Sequence, residues 1–294
     1  MTPSLRIGER DFNWGARTYV MGIINVTPDS FSGDGTFSQK DFVQASLKQA
    51  RNFEAHGADV LDIGGESTRP GAEQINAEDE IERVIPVIEV LKTELDLPIS
   101  IDTYKAPVAA AAIRAGADMV NDVWACKGDP AMAALLASEG LPIILMHNRS
   151  KAANAQLEKN LGGRYVGVEY INLMEDVKRE LLESVKIAMQ AGIARENIIL
   201  DPGIGFGKTV EQNLELLNRS HEIKAMGFPL LIGSSRKSFI GYTLDTQPEE
   251  RIEGTAATVT IAIDRGADII RMHDVKEMAR VAQMTDALVR QTGN

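Results

Sequence analysis

Short apolar runs recur along the chain, and each is closed by a polar residue or glycine: residues 19–24 before Asn25, 99–101 before Asp102, 143–146 before His147, 198–200 before Asp201 and 230–232 before Gly233. A run with no polar face reads as a parallel strand buried on both sides. Three more strands follow a weak internal repeat, Gly-Ala-Asp and then apolar residues, at Gly57, Gly116 and Gly266. Each copy comes after a helical stretch, so its glycine reads as a helix end leading into an αβ turn. These strands end at Asp62, at Asn121 and Asp122, and at Arg271, Met272 and His273.

Helical patterns fill the intervals at 77–95, 107–115, 130–139, 170–191, 210–224 and 249–265. A further helix carrying Phe42, Ala45, Gln49 and Phe53 runs from a capping-box pattern at Ser38 to Asp41 towards Gly57. Eight strand–helix alternations over this length fit a (β/α)8 TIM barrel better than an open doubly wound sheet. Residues 5–17 read as a short strand or hairpin closing the barrel bottom. Residues 148–169, with Gly162 and Gly163, read as an elaborated loop after the fifth strand and not as a boundary. One domain covering residues 1–294 is expected.

Composition narrows the function more than the fold. With 44% apolar and 25% charged residues the chain is ordinary for a globular protein. A net charge of −11 argues against nucleic-acid or anionic-membrane partners, while leaving room for a local basic pocket. The single cysteine, Cys126, excludes an internal disulfide framework and a cysteine zinc cluster, and reads as packing in a reducing cytoplasm. No signal-peptide pattern opens the sequence, and no apolar run approaches the roughly 20 residues of a membrane helix. A cytoplasmic protein is expected.

The chemistry gathers after the strands. Residues 201–209, DPGIGFGKT, give an acid at a strand end, a glycine loop and a capping box from Thr209 to Gln212. Pro202 stands where a P-loop needs glycine, and Lys208 and Val210 break the dinucleotide pattern. SSRKS lacks the flanking glycines of a nucleophile elbow, and four scattered histidines argue against a histidine metal cluster. In a barrel the carboxyl ends of the strands build the site, so Asn25, Asp62, Asp102, Asn121, Asp201, Lys237, Arg271 and His273 should converge. Carboxylate, amide and ammonium together suit a flat heterocycle with an amino-pyrimidinone edge, a guanine or a pterin. Arg271, His273 and Asn25 suit a di-anion, because phosphate sites in barrels often follow strands seven and eight. Against these, Asp201 has an alternative reading as a tie for its own loop, and Lys208 reads as a solvated loop cation. His56 reads as a cap on a helix end, His221 as a surface residue, and His147 as either a substrate contact or a structural hydrogen bond.

NVTPDSF (25–31), DIGGESTRPGA (62–72), SIDT (100–103), NDV (121–123), DPGIGFGKT (201–209), SSRKSFIG (234–241) and RMHD (271–274) together resemble the bacterial dihydropteroate synthase family. The ordered series spans nearly the whole chain. The resemblance implies a TIM-barrel transferase, a sulfonamide target, that joins 6-hydroxymethyl-7,8-dihydropterin diphosphate to p-aminobenzoate with Mg²⁺ assistance in folate biosynthesis. It also implies a homodimer formed through barrel helices. Residue by residue, it implies that Asp201 accepts from the pterin 2-amino and N3–H groups, that Asn121 pairs with the same edge, and that Lys237 donates to the carbonyl side. Asp102 would face the N8 side, Asp62 would be a supporting acid, and Met146 and Phe206 would wall the ring. Asn25 would serve the metal and diphosphate, Arg271 and His273 the phosphates, and Ser238 the benzoate carboxylate. Thr68 and Arg69 fall on the second loop. The implied catalytic group is Asp102, Lys237, Arg271 and His273. One departure stands out: many members have Asp-Gly-Gly after NVTPDSFS, where this chain has Gly33-Asp34-Gly35, so the loop acid is displaced by one position. Two rivals remain, a corrinoid-type pterin methyltransferase, against which STRPG, SSRKS and RMHD argue, and a non-catalytic pterin-binding protein.

Overall fold

The computed structural model describes residues 4–27, 39–67, 74–158 and 161–290. Among these residues the strands are β1 Ser4–Ile7, β2 Arg10–Asn13, β3 Tyr19–Asn25, β4 Val60–Gly64, β5 Ile99–Asp102, β6 Met119–Asp122, β7 Ile143–Met146, β8 Ala155–Glu158, β9 Gly162–Tyr165, β10 Ile198–Asp201, β11 Leu231–Ile232 and β12 Ile269–Met272. An eight-stranded sheet runs in the order β10-β7-β6-β5-β4-β3-β12-β11, and its pairings are parallel. It closes between the two ends of that order. Leu200 bridges Leu230 in parallel, and the Leu200 N–H donates to the Pro229 carbonyl at 2.9 Å. This is the expected (β/α)8 barrel.

The helices are α1 Gln39–Ala55, α2 Ala77–Glu94, α3 Ala106–Ala115, α4 Ala131–Glu139, α5 Leu173–Ala191, α6 Val210–Asn218, α7 His221–Lys224, α8 Ser238–Leu244, α9 Ile252–Asp264 and α10 Val275–Val289. Three features differ from the sequence expectation. The stretch 210–224 is two helices, α6 and α7, separated at Arg219 and Ser220. The loop after β7 contains the antiparallel hairpin β8–β9. The helices α8 and α10 were not among the intervals assigned. The capping box expected at Ser38 lies outside the described residues, whereas the one at Thr209 and Gln212 forms with both of its hydrogen bonds. No helix among the described residues is long and apolar enough to cross a membrane.

Alternation along the strands divides the interior into layers. Outward-facing Val20, Ile24, Leu61, Ile63, Ile99, Ile101, Ile143, Leu145, Ile198 and Leu200 belong to the core beneath the helices. Inward-facing Tyr19, Met21, Val60, Met119, Ile144, Ile199, Leu231 and Ile269 form a second apolar cluster with Leu5, Ile7, Phe12 and Trp14 of the β1–β2 hairpin. The hairpin therefore plugs the amino-terminal end of the barrel, as residues 5–17 suggest. On β4, β5, β6, β10 and β12 the next inward position is polar: Asp62, Asp102, Asn121, Asp201 and Arg271. A period of two places them in one layer above the apolar plug.

The Gly-Ala-Asp repeat has a second role that periodicity does not disclose. Each aspartate grips the start of the adjoining strand. Asp59 accepts from Val20 N–H at 2.8 Å, Asp118 from Ile99 N–H at 2.8 Å and Asp268 from Leu230 N–H at 2.8 Å. Each also meets a cation: Arg17, Lys92 and Lys224 respectively. These contacts lie at the end of the barrel opposite the polar layer.

Candidate active site

The polar layer is held by a guanidinium. Arg271 at the end of β12 donates from Nε to Asp62 Oδ2 and from Nη2 to Asp102 Oδ2, each at 2.5 Å. Asn121 Nδ2 donates to the same Asp62 oxygen at 3.0 Å. Asp62 is fully buried, and its Oδ1 has no hydrogen-bond partner. Burial drives the Asp102 carboxyl up to about 7 against the pull of Arg271, with Asp62, Glu80 and Asp122 adding to the rise. The same two acids, outweighing desolvation, raise the already high pKa of Arg271, which stays charged. Asn25 ends β3 one strand away, its Oδ1 3.9 Å from the place a Cβ on Gly64 would occupy.

Across the mouth, β10 delivers Asp201 beside Met146 of β7, its register partner. Asp201 Oδ1 accepts from Gly203 N–H at 2.7 Å; among the described residues Oδ2 has no hydrogen-bond partner. The loop-tying reading of this acid is thus met by one of its oxygens. Burial raises its pKa while Lys237, the Gly203 amide, Arg271 and Lys208 pull it down. Lys237 caps α8 and hydrogen-bonds the Ile204 carbonyl, with Nζ 4.6 Å from the centre of the Phe206 ring. Desolvation lowers it to about 8. Ser238 begins α8 next to it. His273 accepts or donates at Nδ1 to Ser235 Oγ at 3.1 Å, and its backbone N–H donates to the same hydroxyl at 3.1 Å.

Carboxylate, ammonium, amide and aromatic side chains thus gather at the carboxyl end of the barrel, the set expected for a flat heterocycle with an anionic arm. A family model described as "Pterin binding enzyme" matches residues 21–273. The dihydropteroate synthase of Clostridium beijerinckii is 50% identical over 287 residues, covering 97% of this chain and all of that protein. The chain belongs to the dihydropteroate synthase family. Among solved structures, the Clostridium difficile dihydropteroate synthase with pteroic acid superposes with a TM-score of 0.86 at 46% identity, covering 95% of this chain and 100% of the other. The Xanthomonas albilineans dihydropteroate synthase with 4-aminobenzoic acid gives 0.87 at 38%, covering 98% of each.

Of the residues singled out by motif, the structure brings Asn25, Asp62, Asp102, Asn121, Met146, Asp201, Phe206, Lys237, Ser238, Arg271 and His273 to the carboxyl end of the barrel. Thr68, Arg69 and Asp34 lie outside the described residues. His56 caps its helix, Nδ1 lying 2.7 Å from the Asn52 carbonyl, and His221 is exposed.

Lys208 is a correction. It is no solvated cation but is 1% exposed, with Nζ 2.9 Å from the Gly203 carbonyl, 3.0 Å from that of Phe206 and 3.0 Å from His147 Nδ1. The reason is the closing of the glycine loop onto the chain after β7. A Cβ at Gly203 would fall 1.9 Å from the His147 carbonyl, and one at Gly207 2.2 Å from the Arg149 carbonyl carbon, so only glycine lets the loop sit there. Lys208 is covered as a result, and burial lowers it to about 7. His147 takes the structural role: buried, neutral and pushed down to about 4 by desolvation and by Lys208, it meets Glu180 at 3.0 Å. A part-buried cation, Lys105, and a buried one, Arg251, also escaped the sequence reading. Lys105 joins Glu66 and the fully buried Glu80 at 2.5 and 2.6 Å. Arg251, 2% exposed, binds the carbonyls of Arg236, Thr246 and Leu161. Charged side chains default to the surface, and no spacing in the sequence marks these as exceptions.

Proposed function

We propose that this chain condenses 6-hydroxymethyl-7,8-dihydropterin diphosphate with p-aminobenzoate, giving 7,8-dihydropteroate and diphosphate for folate synthesis. The observation that carries the reading is the pairing of Asp201 and Lys237 beside the Phe206 ring. An ionised carboxylate with one free oxygen accepts from an amino-pyrimidinone edge, and an ammonium three elements away in sequence donates to its carbonyl. Met146 and Phe206 supply the apolar walls. Pteroic acid, present with one solved relative, is the oxidised form of the proposed product, and 4-aminobenzoic acid, present with the other, is the proposed amine.

The chain's own residues divide the chemistry. Arg271 uses Nε and Nη2 on Asp62 and Asp102, which leaves Nη1 with two hydrogens for phosphate oxygens; His273 adds a donor at the same strand end. The C–O bond to diphosphate breaks with its electron pair leaving on oxygen, and these donors stabilise that charge. Asp102 and Asp62 lie beneath the cationic pterin that remains. The amine lone pair of p-aminobenzoate then forms the C–N bond and the amine loses a proton to solvent. No covalent enzyme intermediate is required. Ser238, at the start of α8, is placed for the benzoate carboxylate.

A magnesium ion is part of this reading. Among the described residues no group of three or more His, Cys, Asp or Glu is arranged for a metal. Mg²⁺ needs no such cage: it takes oxygen ligands, keeps several waters and is held by few protein groups, usually one or two carboxylates, together with substrate phosphates. The Asn25 side-chain oxygen at the barrel mouth fits that donor set, and the ion would add charge stabilisation to the leaving group. The reading also carries a cytoplasmic homodimer. Ile261 on α9 and Met284, Leu288 and Val289 on the neighbouring α10 leave an apolar strip 39–63% exposed per residue, which supports an interface; light scattering at the single-chain mass of 32.0 kDa would dismiss it.

Calorimetry with 6-hydroxymethylpterin tests the recognition on which everything else rests. Wild type should bind, and Asp201→Ala should lose roughly 1.5–3 kcal/mol or more, because two ring donors lose a charged acceptor. An unchanged dissociation constant in the variant would move recognition elsewhere.

A further inference from the structure

Lys208 is the sharpest conflict between charge pattern and fold. Its ammonium is buried, and none of its hydrogen-bond partners is a carboxylate. A buried charge is costly unless every hydrogen is satisfied. Here three hydrogens meet three acceptors: the carbonyls of Gly203 and Phe206 and the imidazole Nδ1 of His147, at 2.9, 3.0 and 3.0 Å. His147 is available as an acceptor because its other nitrogen donates to Glu180 Oε2 at 3.0 Å. Glu180 is fixed in turn by Arg149, whose Nε lies 3.1 Å from each carboxylate oxygen.

Two of the three acceptors belong to the loop that carries the pterin contacts. Gly203, whose carbonyl Lys208 holds, uses its N–H to hold Asp201 Oδ1 at 2.7 Å. Phe206, whose carbonyl Lys208 also holds, presents its ring to Lys237. Other side chains hold other points of the loop: Lys237 the Ile204 carbonyl, Asn213 Oδ1 the Gly205 N–H at 2.6 Å and the Tyr170 hydroxyl the Gly207 carbonyl at 3.0 Å, which leaves the Gly203 and Phe206 carbonyls to Lys208. A lysine needed only to fill space would be replaceable by methionine, which has nearly its shape and none of its donors.

We infer that Lys208 is a positioning residue for pterin recognition: from beneath the glycine loop it holds Gly203 and Phe206 by their carbonyls, and so sets the Asp201 carboxylate and the Phe206 ring without touching substrate. This rests on the pterin reading of the site. It predicts a selective defect. The pterin side of the pocket loses its geometry when Lys208 is neutralised, while Ser238 and the benzoate side, carried on α8, keep theirs.

The test compares wild type with Lys208→Met, Lys208→Gln and His147→Gln by pterin calorimetry, by steady-state kinetics in both substrates, and by amide hydrogen exchange. Lys208→Met should weaken 6-hydroxymethylpterin roughly tenfold or more, since it removes charge-assisted hydrogen bonds. The KM for pterin diphosphate should rise by the same factor, with kcat and the KM for p-aminobenzoate at wild-type values. Amides of residues 203–207 should exchange faster, with residues 198–200 unchanged. Lys208→Gln, which keeps two N–H donors, should recover part of the loss and decides the matter if Lys208→Met does not fold. His147→Gln keeps both carbonyl contacts and should cost less pterin affinity than Lys208→Met does; an equal or larger loss would place the anchor on the imidazole and overturn the inference. Unchanged exchange and unchanged pterin affinity in Lys208→Met would overturn the inference, as would an equal loss for both substrates. The two readings fail separately: no pterin binding by wild type, with faster loop exchange in Lys208→Met, removes the pterin assignment but leaves Lys208 as the loop's anchor.

Discussion

Asp201 and Lys237 are a buried acid and a half-buried base whose ionisations move towards each other. Desolvation raises the Asp201 pKa from the carboxylate range and lowers Lys237 to about 8. Pterin recognition needs the acid ionised and the amine protonated. Affinity should therefore fall as pH drops through the raised Asp201 value, and fall again as pH rises through about 8. Calorimetry across pH checks both limbs; an affinity that stays flat well above 8 would remove Lys237 from the contact. At this scale the sequence was informative wherever a polar residue closed an apolar run. Asp62, Asp102, Asn121, Asp201 and Arg271 are legible because strand ends in a barrel converge. The burial of Lys208 and Arg251 is not legible, because it is decided by how loops close over them. The glycines at 203 and 207 are visible in the sequence, yet nothing in their spacing says which neighbour they admit.

The barrel strands are registered by a device repeated three times. Asp118 accepts from Ile99 N–H at 2.8 Å and pairs with Lys92, while its own N–H donates to the Ile99 carbonyl at 2.7 Å. The same two-point clamp joins Asp59 to Val20 and Asp268 to Leu230. Asp118→Ala should lower unfolding stability by roughly 1–3 kcal/mol, since it leaves a buried strand amide unpaired. Denaturant unfolding measures this, and because the clamp lies at the far end of the barrel, pterin affinity should not change; a lost affinity at full stability would contradict the division between the two ends. The repeat announced the helix-to-strand turns, but not the clamp, since Asp-to-amide contacts cross between strands that are distant in sequence. Elements with clear periodicity, such as α2 and α5, appear close to their expected bounds. The short helix α8 escapes because it is not long enough to carry a period, whereas the two-residue strand β11 falls within the apolar run at 230–232.

For the whole molecule, the order of strands and the plug at the amino-terminal end put one apolar layer and one polar layer inside the same barrel. A chain with a net charge of −11 thereby keeps Lys237, Arg271 and His273 together at one mouth. The barrel was legible from eight alternations and the family from seven motifs in order. The closing seam between β10 and β11 was not, because the contact of Leu200 with Leu230 depends on the accumulated tilt of all the strands. The account as a whole claims that this mouth performs a condensation, beyond holding a pterin. The direct measurement is product formation by the purified protein from 6-hydroxymethyl-7,8-dihydropterin diphosphate, p-aminobenzoate and Mg²⁺, resolved by chromatography with mass detection. The expected result is 7,8-dihydropteroate and diphosphate in equal amounts, suppressed by chelation of the metal and lowered roughly tenfold or more by Asp201→Ala at limiting pterin diphosphate. Saturable binding of both substrates with no carbon–nitrogen product would contradict it and leave a protein that only binds pterin.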